Sequence, residues 1–388
     1  MINVGVIGTG YIGPIHLEAL RRVEGVRIKS VCDINLELAR QAARKYDIPN
    51  AYDNPESILN DAGIDVIHNC TPNKFHYPIN KLALERGKHV LSEKPLAMNL
   101  SEAAELVELA EKKGLVNGVN FCYRYYPVVQ EMAVRVRRGD LGTVRMVSGS
   151  YYQDWLSRAI DYSWRLERSE SGDSNITADL GSHWFDLVQF VTGLSVEQVM
   201  ADFASIIPKR QKPRKQVLAF AQAADSATEE VNVELEDYSA TLFRLSNGAP
   251  GSFSTCEACA GRKSDTEFQI YGSECSMAWN HKHSTELWIG HREKPNEILT
   301  EAPALLDKSI ARYATLPGGH PLGYHDAEVN LFRDFYNAVK GDPLVSPVSR
   351  PDFKTGYDEM KILAALVESN RTRQWKKINS RMSANTGV

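Results

Sequence analysis

The chain has 388 residues, more than one hydrophobic core usually supports, so two domains are expected. A hydrophobic fraction of 43% and a charged fraction of 24% are ordinary for a globular protein. The formal net charge of −4 gives no reason to expect nucleic acid as a partner.

No apolar stretch is long enough to span a bilayer, so no membrane partner is expected. The opening residues, MINVGVIGTGYIG, run into a strand and a glycine loop rather than a leader. Six scattered cysteines do not read as a disulfide framework. Cys256 and Cys259 form one CxxC without a second pair, in surroundings that read as a strand. The expectation is a reduced, cytoplasmic protein. Lys209, Arg210, Lys212, Arg214 and Lys215 form a basic run, read as a solvated loop.

In chain order, residues 2–8 form an apolar run suited to a strand buried on both faces. A helix pattern follows through His16, Leu17, Leu20 and Val23, then a strand from Val26 to Asp33. LELARQAARKY is a helix with Asn35 as its N-cap. Further strands are predicted at Asp65–Asn69, His89–Leu91 and Leu115–Val119. Helices are predicted at Tyr77–Arg86 and from a Ser101 cap to Lys113. This alternation implies a doubly wound parallel sheet, an α/β Rossmann domain placed at residues 1–122.

After about residue 140 the rhythm changes. Val144–Gln153 reads as a long strand, residues 181–192 as a helix, and 199–289 as strands separated by turns. Two helices, near Ala327–Val339 and Pro351–Ser369, close the chain, and the tail Asn379–Val388 reads as disordered. Residues 123–388 are therefore expected to form an α+β domain with a large, mostly antiparallel open sheet. Its closing helices are free to pack back on the first domain.

Gly8, Gly10 and Gly13 make GxGxxG, with Tyr11 and Ile12 inside it, directly after a buried strand and opening a helix. The first glycine permits the turn, the second admits a pyrophosphate, and the third lets helix and strand approach. Asp33 ends the second strand, where a carboxylate accepts from ribose hydroxyls and repels a 2′-phosphate, so NAD is expected over NADP. Thr71, Pro72, Asn73 and His76 follow one predicted strand, and Glu93, Lys94 and Pro95 another. Ligands bind beyond the carboxyl ends of such strands, so these residues reach the cofactor's side of the sheet. Pro95 suits a cis bond. No set of residues is convincingly spaced for a metal, Asp186 and the His281/His283 pair included.

GTGYIG, TPNKFH, SEKP and ADLGSHWFD together resemble the glucose–fructose oxidoreductase / inositol dehydrogenase (Gfo/Idh/MocA) family, over nearly the whole chain. The resemblance implies a lysine on the reacting hydroxyl and an Asp-x-x-x-His acid–base pair, here Lys94, Asp179 and His183. It also implies that Asn120, Trp164 and Arg165 contact the nicotinamide end. Gln153, Asp154 and Trp155 look like the sugar-dehydrogenase branch, whose members act on pyranosides such as levoglucosan. Arg124, Tyr324 and His325 are further pocket positions. SGDSNITADLG replaces the glycine-rich run of many relatives, which puts the pocket's shape in question.

Imidazole, with an ordinary pKa near 6.5, suits removal of a hydroxyl proton, and an ammonium suits the developing alkoxide. The expected activity is hydride transfer between NAD(P) and a secondary hydroxyl of a sugar, glycoside or cyclitol, by a homodimer or homotetramer. Two alternatives stay open: a same-fold enzyme for a dihydrodiol or pigment, and a non-enzymatic dinucleotide-sensing regulator.

Overall fold

The structure is a computed structural model that describes residues 1–214, 227–342 and 350–378. Two compact units divide the chain. The first holds residues 1–122, 325–342 and 350–360; the second begins at Tyr123 and runs to Tyr324, with residues from Lys361 onward.

The first unit alternates β1 (Ile2–Ile7), α1 (Ile12–Leu20), β2 (Val26–Cys32), α2 (Leu36–Tyr46), β3 (Asn50–Tyr52) and the one-turn α3 (Glu56–Leu59). It continues with β4 (Val66–Asn69), α4 (His76–Glu85), β5 (His89–Ser92), α5 (Leu100–Lys113) and β6 (Asn117–Val119). The described strands form one parallel sheet in the order β3-β2-β1-β4-β5-β6. The order reverses between β1 and β4, so their carboxyl ends frame the crevice where such sheets bind ligands. Val4, Val6, Val66 and Val90 are fully buried, which explains why these strands read as unbroken apolar runs.

Asn35 caps α2, its side chain accepting from Glu37 N. In α5 the cap is Asn99 and not Ser101: Asn99 Oδ1 accepts from Glu102 N at 3.0 Å. The helix starts earlier than expected because Asn99, in extended conformation, already meets the first free N–H groups. The short β3 and α3 carry too few residues to show a period.

The second unit holds α6 (Pro127–Arg138), β7 (Val144–Tyr152), the one-turn α7 (Arg168–Ser171) and α8 (Ser182–Thr192). Then come β8 (Val196–Ala204), β9 (Lys209–Pro213), β10 (Thr228–Asn232), β11 (Tyr238–Leu245), β12 (Pro250–Cys256) and β13 (Asp265–Gly272). β14 (Ser276–Asn280), β15 (Glu286–Gly290) and β16 (Glu297–Thr300) follow; α9 (Tyr324–Val339), which belongs to the first unit from His325 on, α10 (Phe353–Thr372), which belongs to it up to Met360, and β17 (Lys376–Lys377) close the chain. The larger sheet runs β16-β15-β14-β13-β7-β12-β11-β8-β17, antiparallel except where β7 meets β12. α6 was legible but missed: Pro127 opens it, Gly139 ends it left-handed, and its last turn is basic.

The basic run is not a solvated loop. Lys209–Pro213 is strand β9, paired with β10, and Arg210 is fully buried. Its guanidinium donates to the carbonyls of Leu156, Arg158 and Asp161 at 2.9, 3.2 and 3.2 Å and to Asp237 at 3.1 Å. A planar fork of donors can staple a loop in this way, which composition does not reveal. Lys215 and the tail from Asn379 lie outside the described residues.

α8 is seated on the sheet by Trp184, which stacks on Phe253 with ring centroids 4.5 Å apart and donates to Glu267 O at 2.9 Å. Gly149 of β7 makes the room, since a Cβ there would lie 2.7 Å from Trp184 Nε1. Burying Trp184 orients its neighbour, His183, whose ring meets Tyr123 edge-on with centroids 4.9 Å apart.

Candidate active site

In the first unit, the loop from β1 to α1 is shaped by its glycines. Gly8 has φ +96°, and a Cβ on it would lie 2.5 Å from Cys70 O. A Cβ on Gly13 would lie 2.2 Å from Gly8 O, whereas one on Gly10 meets no atom within 4 Å. Gly10 thus borders open space at the start of α1, where free N–H groups and the helix dipole favour a phosphate. Tyr11 is exposed beside it. Asp33 is held by the same loop: its Oδ2 accepts from Thr9 N at 2.8 Å and Thr9 Oγ1 at 2.9 Å, and its Oδ1 from Asn35 N at 3.0 Å. These residues fit a dinucleotide.

Thr71 and Pro72 follow β4, and His76 opens α4. The His76 ring faces two carbonyls, Pro95 O at 2.6 Å from Nδ1 and Thr71 O at 2.8 Å from Nε2. Burial lowers its pKa, and the two carbonyl acceptors oppose that. A neutral ring donates to one of these carbonyls and faces the other, so His76 lies packed between the Thr71 loop and the Lys94–Pro95 loop. That peptide is cis, and Lys94 is half-buried. Asn73 is buried.

Beneath Lys94 a buried polar line was not anticipated. Glu93 Oε1 accepts from Asn120 Nδ2 at 2.7 Å and pairs with His16 Nε2 at 2.9 Å. His16 Nδ1 lies 2.9 Å from His68 Nδ1, and His68 Nε2 lies 2.8 Å from Tyr336 Oη. Burial would raise the Glu93 carboxyl, but the His16 and Asn120 hydrogen bonds hold it down at about 2. Burial works against a charge on His16, yet Cys70 and Glu93 together raise its pKa. Burial and the neighbouring His16 lower that of His68. Glu93 is therefore a charged, fixed anchor for the residue after it.

In the second unit, Thr177–Gly181 winds as a π-turn immediately before α8, and Asp179 sits within it. Such wide turns are rare and often mark functional sites. Arg165 Nε lies 3.4 Å from Asp179 Oδ1. The guanidinium also rests over Trp164 at 4.6 Å and Trp155 at 5.9 Å. Trp155, Trp164, Arg165 and Asp179 are thus one cluster. Around His183, Tyr123 Oη lies 2.6 Å from Tyr151 Oη, which accepts from Gln153 Nε2 at 3.5 Å. Tyr324 packs edge-on to Tyr123, with centroids 6.3 Å apart.

Three expected pocket positions are placed elsewhere. Asp154 is engaged by Lys263 Nζ at 2.7 Å and Gly261 N at 3.0 Å, which ties down a loop. Arg124 is a buried bidentate partner of Asp186, its Nε donating at 2.6 Å. His325 belongs to the first unit, where it lines an open cavity of about 530 Å³ with Pro14, Arg22, Lys45 and Tyr46. Sequence reading missed Tyr123, Tyr151, Asn175 and Glu257. The signal for Glu257 was a lone carboxylate directly after a strand, in a segment, GSFSTCEACAG, with no other charge. Among the described residues, no group of three or more His, Cys, Asp or Glu side chains is arranged to hold a metal, and no helix is long and apolar enough to cross a membrane.

A reversing parallel sheet, a glycine loop open at its second glycine and an acid closing β2 define a dinucleotide-binding oxidoreductase. Residues 2–121 match the oxidoreductase family with an NAD-binding Rossmann fold, and residues 129–278 match the GFO/IDH/MocA C-terminal domain. The chain belongs to the Gfo/Idh/MocA family of NAD-dependent oxidoreductases. It is 28% identical over 396 residues to levoglucosan dehydrogenase of Pseudarthrobacter phenanthrenivorans, covering 96% of this chain and 97% of that one. It is 30% identical over 194 residues to D-glucoside 3-dehydrogenase of Escherichia coli, covering 50% of this chain and 54% of the other. Levoglucosan dehydrogenase in complex with NADH and levoglucosan superposes with a TM-score of 0.87 at 27% identity, covering 98% and 100%.

Proposed function

We propose that this chain oxidises a secondary hydroxyl of a sugar, glycoside or cyclitol, with NAD as the electron acceptor. One observation carries the choice of substrate: Asp179 and Arg165 form an ion pair beside the faces of Trp155 and Trp164. Carboxylate and guanidinium suit several hydroxyls, and indole faces suit the C–H side of a ring. The likeness to levoglucosan and glucoside dehydrogenases supports the same reading.

In this mechanism the glycine loop, with Gly8, Gly10, Tyr11, Ile12 and Gly13, cradles the pyrophosphate. Asp33 accepts from the adenosine ribose, and Thr71, Pro72, Asn73 and Asn120 line the nicotinamide side, with Trp164 and Arg165 serving its far end. NAD held there would supply the acceptor for the hydride that leaves the carbinol carbon. His183 takes the hydroxyl proton, and the carbonyl forms as the C–H pair of electrons departs. Lys94 bears on the reacting oxygen as its charge develops, and Asp179 holds the acid–base group and a second hydroxyl. Gln153, Trp155 and Tyr324 shape the ring site. Glu93 and His76 act through the loops that carry Lys94.

The protein works in this reading as a cytoplasmic homodimer or homotetramer. Six free cysteines agree with that compartment, and exposed Met146 of β7 and Leu242 of β11 offer an apolar sheet face. Light scattering would test the assembly. The reaction is tested by following NAD and NADP reduction against inositols, aldoses, glycosides and levoglucosan. A rate with one ring class and NAD is expected. No rate with any of them, while NADH still binds, would sink the proposal.

A further inference from the structure

The second unit holds buried acids, close to Asp179, that the mechanism above does not use. Glu257 directly follows β12 and is 0% exposed. Its Oε2 accepts from Asn175 Nδ2 at 2.9 Å, and its N–H donates to Asp237 O at 3.1 Å. Its Oε1 receives no hydrogen bond among the described residues. Asn175 is the link to the proposed catalytic carboxylate: its backbone carbonyl accepts from Asp179 N at 2.9 Å, and its amide also donates to Glu236 O at 3.1 Å.

Glu236, also buried, is served quite differently. Its Oε1 accepts from Ser174 Oγ at 2.6 Å and from the N–H groups of Asn175 and Thr177 at 3.1 Å each. A carboxylate ion removed from water needs its lone pairs filled and its charge paired. Glu236 meets the first condition; Glu257 meets neither. The two cations that act on Glu257 are Arg165 and Arg210, and each already has a partner, Asp179 at 3.4 Å and Asp237 at 3.1 Å.

We propose that Glu257 is a neutral-acid positioning residue, whose protonated carboxyl holds Asn175, and through it Asp179, in place for the acid–base step. The proposal rests on the reading of Asp179 and His183 given above. An ionised Glu257 would put a second negative charge near Asp179, facing only cations that are already paired with Asp179 and Asp237. The groups that act on Glu257 are Asn175 and Asp179 from the segment of the π-turn, Arg165, and Arg210 of β9; Glu236 and Asp237 lie just before β11, Asp237 taking the Glu257 N–H, and Cys256 precedes Glu257 in the chain. Burial pushes the Glu257 carboxyl up to about 8, and the Asp179 charge adds to this against Asn175, Arg165 and Arg210. Burial pushes the Cys256 thiol up to about 12, so it stays uncharged in the same range.

The test compares wild type, Glu257→Ala and Glu257→Gln as NAD complexes. Alanine releases Asn175 and should lower kcat roughly tenfold or more, since small misplacements of a catalytic group cost that much, while NADH affinity is kept. Glutamine copies the protonated acid and should restore most of that loss. Wild type should lose kcat as pH rises through about 8, and the glutamine variant should not. A glutamine variant no better than alanine, or one with the alkaline fall unchanged, overturns the proposal. Infrared difference spectra give a readout that needs no turnover. A carboxylic-acid carbonyl band should be present in wild type at neutral pH, absent in Glu257→Gln, and lost on alkalinisation. Its absence from wild type overturns the neutral acid. Its presence in a protein that oxidises no sugar supports the proton on Glu257 and refutes the dehydrogenase reading instead.

Discussion

Alanine at each glycine of the β1–α1 loop separates binding from folding. At Gly10 the added methyl meets no protein atom within 4 Å and the backbone is not in the left-handed region, so stability should change by no more than about 0.5 kcal/mol. The same methyl stands where a pyrophosphate must approach the start of α1, and NADH affinity should fall roughly 10- to 100-fold, about 1.4–2.8 kcal/mol. Gly8→Ala behaves oppositely. Its φ of +96° costs an L-residue about 1–2 kcal/mol before sterics, and its Cβ, 2.5 Å from Cys70 O, forces backbone to move as well. Gly13→Ala drives a methyl to 2.2 Å from Gly8 O and should likewise melt several degrees lower. Thermal melting without cofactor, paired with NADH fluorescence titration, reads both quantities. A Gly10→Ala variant with wild-type NADH affinity refutes the assignment of this loop. One that melts like Gly8→Ala refutes the steric reasoning.

Lys94→Ala should lower kcat roughly 10²- to 10³-fold, as loss of one charge-stabilising donor does, with NADH affinity nearly unchanged; normal turnover would remove Lys94 from the mechanism. Asp33→Ala should narrow the preference for NAD over NADP in kcat/KM, because the carboxylate no longer repels a 2′-phosphate. Asp186→Asn strands the buried Arg124 guanidinium and should cost about 3–5 kcal/mol in denaturant unfolding; a loss below 1 kcal/mol would show that the pair is dispensable. Glu93 has a depressed carboxyl, so its stabilising contribution is complete above about 4.5 and disappears as pH falls towards about 2. At about 1.4 kcal/mol per pH unit this amounts to roughly 3 kcal/mol. The stability gap between wild type and Glu93→Gln should therefore be widest near neutral pH and shrink through that acid window. A gap that does not change with pH would contradict the His16–Glu93 pairing.

Local chemistry made much of the first unit legible. Gly8 and Gly13 are demanded by backbone geometry within a few residues, Gly10 only by a ligand's approach, and Asp33 directly follows a strand that its own apolar pattern announces. Glu93 and Lys94 follow another such strand, so their place at the carboxyl end of the sheet comes with the topology. The spacing of Asp179 and His183 resembles a family pattern, whereas the π-turn that carries Asp179 leaves no such trace in the sequence. What remained hidden depends on partners far along the chain. Arg124 looked like a pocket residue until Asp186 filled its fork, 62 positions away. Arg210 looked solvated until four loop acceptors enclosed it. His76 lies between the carbonyls of Thr71 and Pro95, the latter 19 positions away, which no local pattern announces. Glu257 had no visible partner in sequence, because Asn175 lies 82 positions earlier. A sequence displays which groups can donate, accept or ionise and the period on which they recur. Whether a given charge meets water, a counter-ion or neither is decided only when the sheet brings distant strands together, and that burial sets what each group can do.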